Sequence, residues 1–329
     1  MTSSCKRREF LAATAALGAS TLSWNAWAQS KDPVRPVTVI DPFQAGNNSD
    51  YFLRAIAEEM AKILGQPFIV ENKPGSGGAL GTEALARAQP DGYTLGLASV
   101  STHAANPAVN KAIRYDPIKD FAPITNMVTL PSITVVPAAS PLKTLEDLIA
   151  AAKAKPGTLT FASPGIGSAG HILMEYFSHL VDAKFSHIPY RGSAAILNDL
   201  LGGQLDVASD NAPALIPHLR SGKLRALAVR DLQRIPQLPD TPTFKELGFA
   251  QISRPLWFGL VAPAGTPANT IDRLNQVARQ AMATPTFQKR AAEVSARVTP
   301  NSPHQFAEQI QQWLNDFKKV VQSAHITLE

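Results

Sequence analysis

Short apolar runs rich in β-branched residues alternate along most of the chain with segments whose apolar positions recur every three or four residues. The first run, Val37-Thr38-Val39-Ile40, reads as a strand, and the pattern then predicts a helix over about 50–64, a strand over 68–70, a helix over about 79–88 and a strand over 93–98. The alternation restarts downstream, with strands at 159–162, 185–189 and 205–208 and helices at about 168–181 and 194–201. Such βαβ repetition implies two α/β units, each with a largely parallel sheet covered by helices. Two extended, proline-bearing stretches, 127–137 around Pro131 and 252–263, read as two crossings between the units. The C-terminus turns wholly helical, from Thr266-Pro267 to about 282, from about Pro285, and from Ser302-Pro303 to about 324. These helices are expected to pack back on the first unit. The predicted organisation is a first domain formed by 29–130 together with 254–329, and a second formed by 131–253.

The first 28 residues stand apart from this pattern. Lys6-Arg7-Arg8 precedes an apolar run over 10–22, and Ala26-Trp27-Ala28 follows. The run is too short for a stable membrane span, and the small residues suit a signal peptidase, so the segment reads as a signal peptide cut before Gln29. Arg7-Arg8 followed by Glu9-Phe10-Leu11 resembles a twin-arginine export signal; an ordinary export signal with two arginines is the alternative. The sole cysteine, Cys5, precedes the apolar run, which leaves the mature chain without a thiol and excludes disulfides, thiolate catalysis and cysteine metal sites. The formal charge of +5 falls to +3 once Lys6, Arg7, Arg8 and Glu9 are removed, and the basic residues are scattered, which argues against nucleic acid as a partner.

Three polar or glycine-rich loops, 43–50, 74–78 and 163–170, each join a predicted strand to a predicted helix. Free backbone N–H groups and the positive end of a helix dipole favour an anion at such places, and in open parallel sheets ligands bind at the carboxyl ends of strands. For Pro74-Gly75-Ser76-Gly77-Gly78 a tight turn that needs glycine for backbone reasons is the better reading. Gly165-Ile166-Gly167-Ser168-Ala169-Gly170 matches G-x-G-x-x-G between a strand and a helix, which raises an NADP-dependent oxidoreductase as an alternative. The next strand ends at Pro189-Tyr190-Arg191, with no acid to hold a ribose hydroxyl, although Arg191 suits a 2′-phosphate. Nucleophile-elbow, P-loop and H-E-x-x-H motifs are absent. His171, His179 and His187 are eight apart, so the first two cannot form a helix-borne i, i+4 metal pair, and structural or surface roles are expected for all three.

Many ordered segments carry a further likeness. Pro42-Phe43-x-Ala45-Gly46-x-x-x-Asp50, Val70-Glu71-Asn72-Lys73-Pro74-Gly75-Ser76-Gly77-Gly78, Gln89-Pro90-Asp91-Gly92-Tyr93, Pro189-Tyr190-Arg191-Gly192-Ser193, Asp199-Leu200-Leu201-Gly202-Gly203 and Trp257-Phe258-Gly259-Leu260 are among them. Through these the chain resembles the Bug family, the extracytoplasmic binding receptors of tripartite tricarboxylate transporters. The resemblance implies a type II periplasmic-binding-protein fold, two α/β lobes joined by two crossings, with the ligand closed in the interlobe cleft. It implies a periplasmic, monomeric receptor for a small carboxylate, without catalysis, cofactor or metal, that meets transporter membrane subunits transiently; a sensor partner of a signalling kinase is an alternative. A dicarboxylate, aliphatic or aromatic, is the preferred ligand.

The family's carboxylate-holding loops fall on Phe43, Ala45, Gly46, Asn47, Asn48 and Asp50, and on Ser163, Gly167, Ser168 and Ala169. Asp50 suits an N-cap or dipole role, because a carboxylate facing a carboxylate repels it. Asn47-Asn48 replace the family's usual glycines, adding donors, acceptors and bulk, and are expected to help select the ligand. Ser99, Thr102 and His103 after the third strand, Arg191 and Gly192, and Asp210 and Asn211 are further candidates. The planar fork of Arg191 fits it to neutralise a second carboxylate.

Overall fold

A computed structural model describes residues 35–328 of the chain. The signal peptide and cleavage point read at 1–28 lie outside the described residues. The chain runs through β1 (Val37–Asp41), α1 (Asn48–Leu64), β2 (Phe68–Asn72), α2 (Ala79–Ala86) and β3 (Thr94–Ser99). A π-helical turn at Ser101–Ala105 and a short α3 (Asn106–Val109) lead to β4 (Phe121–Leu130). Next come β5 (Ser132–Pro137), α4 (Leu145–Ala154), β6 (Thr160–Ser163), α5 (Ala169–Leu180) and β7 (Ser186–Pro189), then α6 (Ser193–Leu201), β8 (Val207–Asn211), α7 (Ala212–Arg220) and β9 (Leu224–Arg230). The chain closes with β10 (Leu256–Pro263), α8 (Ala268–Met282), α9 (Pro285–Glu293), β11 (Arg297–Val298) and α10 (Pro303–Ser323).

Two sheets define two lobes. The first has the order β11-β4-β10-β3-β1-β2, in which β1, β2 and β3 are parallel and β10 runs antiparallel between β3 and β4. Every residue of β10 is buried, as its nearly unbroken apolar sequence requires of a central strand, while edge strand β2 leaves Ile69 53% exposed. The second sheet has the order β7-β6-β8-β5-β9, with β5 antiparallel to both neighbours and β6, β7 and β8 parallel. Helix α1 buries Phe52, Leu53, Ile56, Ala57 and Met60 along one stripe and ends at Gly65, whose φ of 65° and N–H bond to the Ala61 carbonyl stop the helix. Helices α8 and α9 pack on α1, and α10 lies against β4 while also touching α5 of the second lobe.

The crossings are tied at one buried residue. The chain leaves the first sheet at Leu130, turns through Pro131 and enters the second at Ser132; it returns through 231–255. Arg230, 2% exposed, donates to the Ser132 and Ser209 hydroxyls at 3.1 and 3.3 Å and to the Ile252 carbonyl at 3.1 Å. It thus holds an end of both crossings, and its guanidinium lies over the Phe244 ring at 5.1 Å. Helices α4 and α7 and strand β9 were not among the expected elements. The start of α4 was marked by the Thr144-x-x-Asp147 capping box, whereas Pro213 and Pro217 hide α7 by interrupting its helical pattern.

Candidate functional site

Strands β1, β2 and β3 end on one side of a cleft and β6, β7 and β8 on the other. Between them lies a cavity of about 610 Å³, lined by Pro42, Phe43, Gln44, the 74–78 loop and Leu80 from the first lobe and by Pro164, Gly165, Ile166, Pro189, Tyr190 and Arg191 from the second. That volume is in the range of small-molecule sites. Its walls are mainly proline, aromatic and aliphatic. Arg191 is the charged side chain among the lining residues, and it has no hydrogen-bond or ion-pair partner among the described residues.

The first-lobe loop is shaped from behind by carboxylates. Asp41, fully buried at the end of β1, accepts from the Phe43 N–H at 3.1 Å, from the Ser49 hydroxyl at 2.8 Å and from Asn72 Nδ2 at 3.3 Å. Burial pushes its carboxyl up to about 7. The helix cap is Asn47, whose Oδ1 accepts from the Ser49 and Asp50 N–H groups at 2.8 and 3.2 Å. Asp50, expected as cap or dipole partner, takes the second position: it sits in the first helical turn, at the positive end of the helix dipole, and accepts from the Gly46 N–H at 3.0 Å, from Arg54 at 2.8 Å and from Asn72 at 3.2 Å. Burial pushes Asp50 up, but Arg54, Gly46 and Asn72 together leave it below its ordinary value. The N–H groups of Gln44, Ala45 and Asn47 have no partner among the described residues, which leaves the loop's outer edge able to donate.

Histidines back the second-lobe loop. The rings of Phe161, His187 and His171 stack, with His171 and His187 at 4.0 Å and Phe161 and His187 at 4.7 Å. His171 Nδ1 accepts from the Gly167 N–H at 3.2 Å, and His187 Nε2 is hydrogen-bonded to the Ser163 hydroxyl at 2.7 Å. Burial, helped by the neighbouring His187, lowers His171 to about 3; burial lowers His187 to about 4. This meeting was invisible in the chain order, because α5 and β7 bring together residues sixteen apart in sequence. His179 is exposed. Among the described residues no group of three or more His, Cys, Asp or Glu could hold a metal ion. The loop also fails as a dinucleotide cradle, since the N–H groups of Gly167, Ser168 and Ala169 already donate to His171, the Gly165 carbonyl and the Ser101 hydroxyl.

The lobes touch directly. Asn48 Nδ2 donates to Asp210 Oδ1 at 2.9 Å and to the Ser193 hydroxyl at 3.3 Å, and its Oδ1 accepts from the Ala214 N–H at 3.0 Å. Ser101 Oγ accepts from the Ala169 N–H at 3.0 Å. Gly77, at φ 62°, lies so close to the second lobe that a Cβ there would meet the Ile166 carbonyl at 2.6 Å. The 74–78 loop is therefore more than a turn: it lines the cavity and forms the seam. Asn106, buried and donating to the Ser76 carbonyl at 2.8 Å, packs against Gly167.

Of the sequence candidates, Phe43 and Arg191 line the cavity. Gly192 is buried facing Gln44, while Ala45 and Gly46 are exposed beside the cavity mouth. Ser163, Gly167, Ser168 and Ala169 form the buried seam. Ser99, Thr102 and His103 are buried behind it: Ser99 and Thr102 bond each other at 3.1 Å, and His103 packs on Phe121 with Nδ1 held by Thr102 at 2.9 Å. Burial lowers His103 to about 3. Asp210 and Asn211 lie at the end of β8 under Asn48. Gln44, Gly77, Ser101 and Asn106 were not singled out; Gln44 and Gly77 carried a signal, since they lie inside the 43–50 and 74–78 loops, and Ser101 and Asn106 carried none.

The family model described as tripartite tricarboxylate transporter family receptor matches residues 52–326. Protein BugT of Bordetella pertussis is 36% identical over 286 residues, covering 85% of this chain and 88% of that one. The structure of periplasmic binding protein BugD superposes with a TM-score of 0.86 at 33% identity, covering 90% of this chain and all of that one. MatC from Rhodopseudomonas palustris with bound malate superposes with a TM-score of 0.84 at 32% identity, covering 88% and 99%.

Proposed function

The chain belongs to the tripartite tricarboxylate transporter receptor family, whose members are periplasmic solute-binding proteins rather than enzymes, and from that premise we propose that it captures a small dicarboxylate between its lobes and presents the closed complex to transporter membrane subunits. One observation carries the reading: the interlobe cavity is lined on the first lobe by Gln44, whose amide is unpartnered like those of Ala45 and Asn47 in the same loop, and on the second by Arg191, whose guanidinium is unpaired among the described residues. Two anchor points on opposite walls suit two carboxylates. The malate bound by MatC is a ligand of that kind. Closure then needs no bond chemistry, since each lobe contributes donors that the other cannot reach in the open form. The signal peptide read at 1–28 would deliver the protein to the periplasm, where the membrane subunits could meet it.

A thermal-shift screen of the purified protein, refolded to free it of carried-over ligand, against mono-, di- and tricarboxylates and NADP tests this. At a hundredfold excess over its dissociation constant a ligand adds about 2.7 kcal/mol, a shift of several degrees for a chain of this size. The expected outcome is a shift with a dicarboxylate that weakens by ~10- to 100-fold in affinity in Arg191→Gln, the worth of a charge-assisted hydrogen bond. A shift with NADP and none with any carboxylate would overturn the proposal.

A further inference from the structure

Helix α7 begins Ala212-Pro213-Ala214, with Asn211 at its cap position in extended backbone, φ −71° and ψ 150°. A capping side chain accepts from the N–H of the second or third helical residue. Pro213 has no N–H, so the Ala214 N–H is the one target open to Asn211. That N–H is already taken, by Asn48 Oδ1 reaching across from the first lobe at 3.0 Å. Asn211 therefore makes no capping bond, and its Oδ1 is buried without a partner. Asn48 is well placed to take over the role: it is the first residue of α1, is 6% exposed, and has its Nδ2 oriented by Asp210 and Ser193. The helix end is thus capped by the wrong lobe, while the local cap residue stands idle beside it.

We infer that Asn48 and Asn211 exchange the α7 cap as the lobes move. This rests on the proposed reading of the cleft as one that opens and closes. In the closed form Asn48 caps α7 from the first lobe and strands the Asn211 oxygen. In the open form Asn48 departs with its lobe, and Asn211, whose backbone is already in cap geometry, turns its side chain onto the Ala214 N–H. The helix end is satisfied in both forms, so opening does not leave it bare. Two side chains then set the closed-to-open ratio in opposite directions, without touching the ligand. The expectation that Asn48 helps select the ligand becomes, in this account, an effect on closure.

Interlobe energy transfer on the full chain tests this without ligand, using Cys5→Ser with dyes on Lys62→Cys in α1 and Lys223→Cys before β9, both exposed positions on different lobes. Asn211→Ala removes the cap from the open form alone and should raise the closed-to-open ratio about five-fold, whereas Asn48→Ala breaks the interlobe bonds to Asp210 and Ser193, frees the Ala214 N–H for Asn211 in both forms, and should lower the ratio. Should the wild-type ensemble already be fully closed, Ser101→Ala, which removes another interlobe bond and leaves the cap alone, gives a background in which Asn211→Ala should raise the ratio by that factor; in the Asn48→Ala background, where Asn211 caps both forms, it should change nothing, and Asn211→Ser, which keeps an acceptor, should stay near wild type. An unchanged ratio in Asn211→Ala in both the wild-type and the Ser101→Ala background, or a shift toward the open form, overturns the exchange. A transfer efficiency that no variant and no carboxylate alters removes instead the hinge-closing reading on which it stands.

Discussion

Behind the first-lobe loop lie two carboxylates, Asp41 and Asp50; behind the second lie two imidazoles, His171 and His187. Each pair receives hydrogen bonds from the loop it supports, so each loop is pulled into shape from inside its own lobe. The outcomes differ. The first loop keeps the amides of Gln44, Ala45 and Asn47 free, whereas the second spends those of Gly167, Ser168 and Ala169 on protein acceptors. Asp41 and Asp50 each satisfy one amide of the first loop, those of Phe43 and Gly46, and leave the outer edge donating; the second loop turns its amides inward and across the seam. In the proposed function the labour divides accordingly, the first lobe gripping an anion through backbone and the second through a side chain, Arg191.

The largest expected break in this arrangement comes at the seam where the loops meet. Gly77→Ala places a Cβ 2.6 Å from the Ile166 carbonyl at a residue with φ 62°. Lobe closure should fail, with ligand affinity falling ~100-fold, beyond the ~1–3 kcal/mol that left-handed strain alone would cost in stability. Gly222→Ala is the control, since its φ is 68° and its Cβ meets nothing within 4 Å. It should lose comparable thermal stability and no affinity; equal affinity losses in the two variants would argue that strain rather than the seam is at work.

Opposite pH responses should separate the two loops next. Asp41 is raised from 3.8 to about 7, so the folded protein keeps a proton that the unfolded chain releases. Its contribution to stability is fully present below the unfolded value of 3.8 and is lost as pH rises through about 7. The histidines reverse the sign: lowered from 6.5 to about 3 and about 4, they stay neutral in the fold while the unfolded chain takes up protons. Their contribution is present above 6.5 and is lost as pH falls toward 4. Protonating His171 also removes the acceptor that holds the Gly167 N–H. Between about pH 4 and 6.5 the two slopes oppose each other, so urea unfolding free energies measured from pH 4 to 9 should rise more steeply with pH over that range in Asp41→Asn and less steeply in His187→Phe, each by up to about 1.4 kcal/mol per pH unit. Slope changes of the same sign in the two variants would contradict the assignment of charge to loops.

The smallest effect is expected at Asn47. Its side chain caps α1 through two N–H groups, so Asn47→Ala should cost about 1 kcal/mol, a fall of roughly 2–4 °C in melting temperature for a chain of this length. Ligand profile should be unaltered, because only the backbone N–H of Asn47 is proposed to face the anion. A changed ligand preference would restore the side chain to a selective role.

Much of this molecule is legible along the chain. The β-branched run at β1 and the apolar stripe of α1 announced themselves, because burying one face of a strand or helix leaves a period of two or of 3.6 in the sequence. The two cleft loops were also legible, since a strand-to-helix turn with glycine or small polar residues at the carboxyl end of a parallel strand has few other uses. Less could be read of α7, whose prolines broke the helical pattern, or of Ser101 and Asn106, polar residues with no local peculiarity that lie at the seam.

The sequence by itself determined the two α/β units, the loops that border the cleft and the family to which the chain belongs, because all three depend on neighbours a few residues apart. Only the tertiary structure decided which side chains meet. Asn48 and Asp210 are 162 positions apart, and His171 reaches His187 only because α5 and β7 pack together. Local patterns record which face of an element is buried but carry no mark of its partner; the partner is chosen when two crossings bring separate sheets within hydrogen-bonding distance.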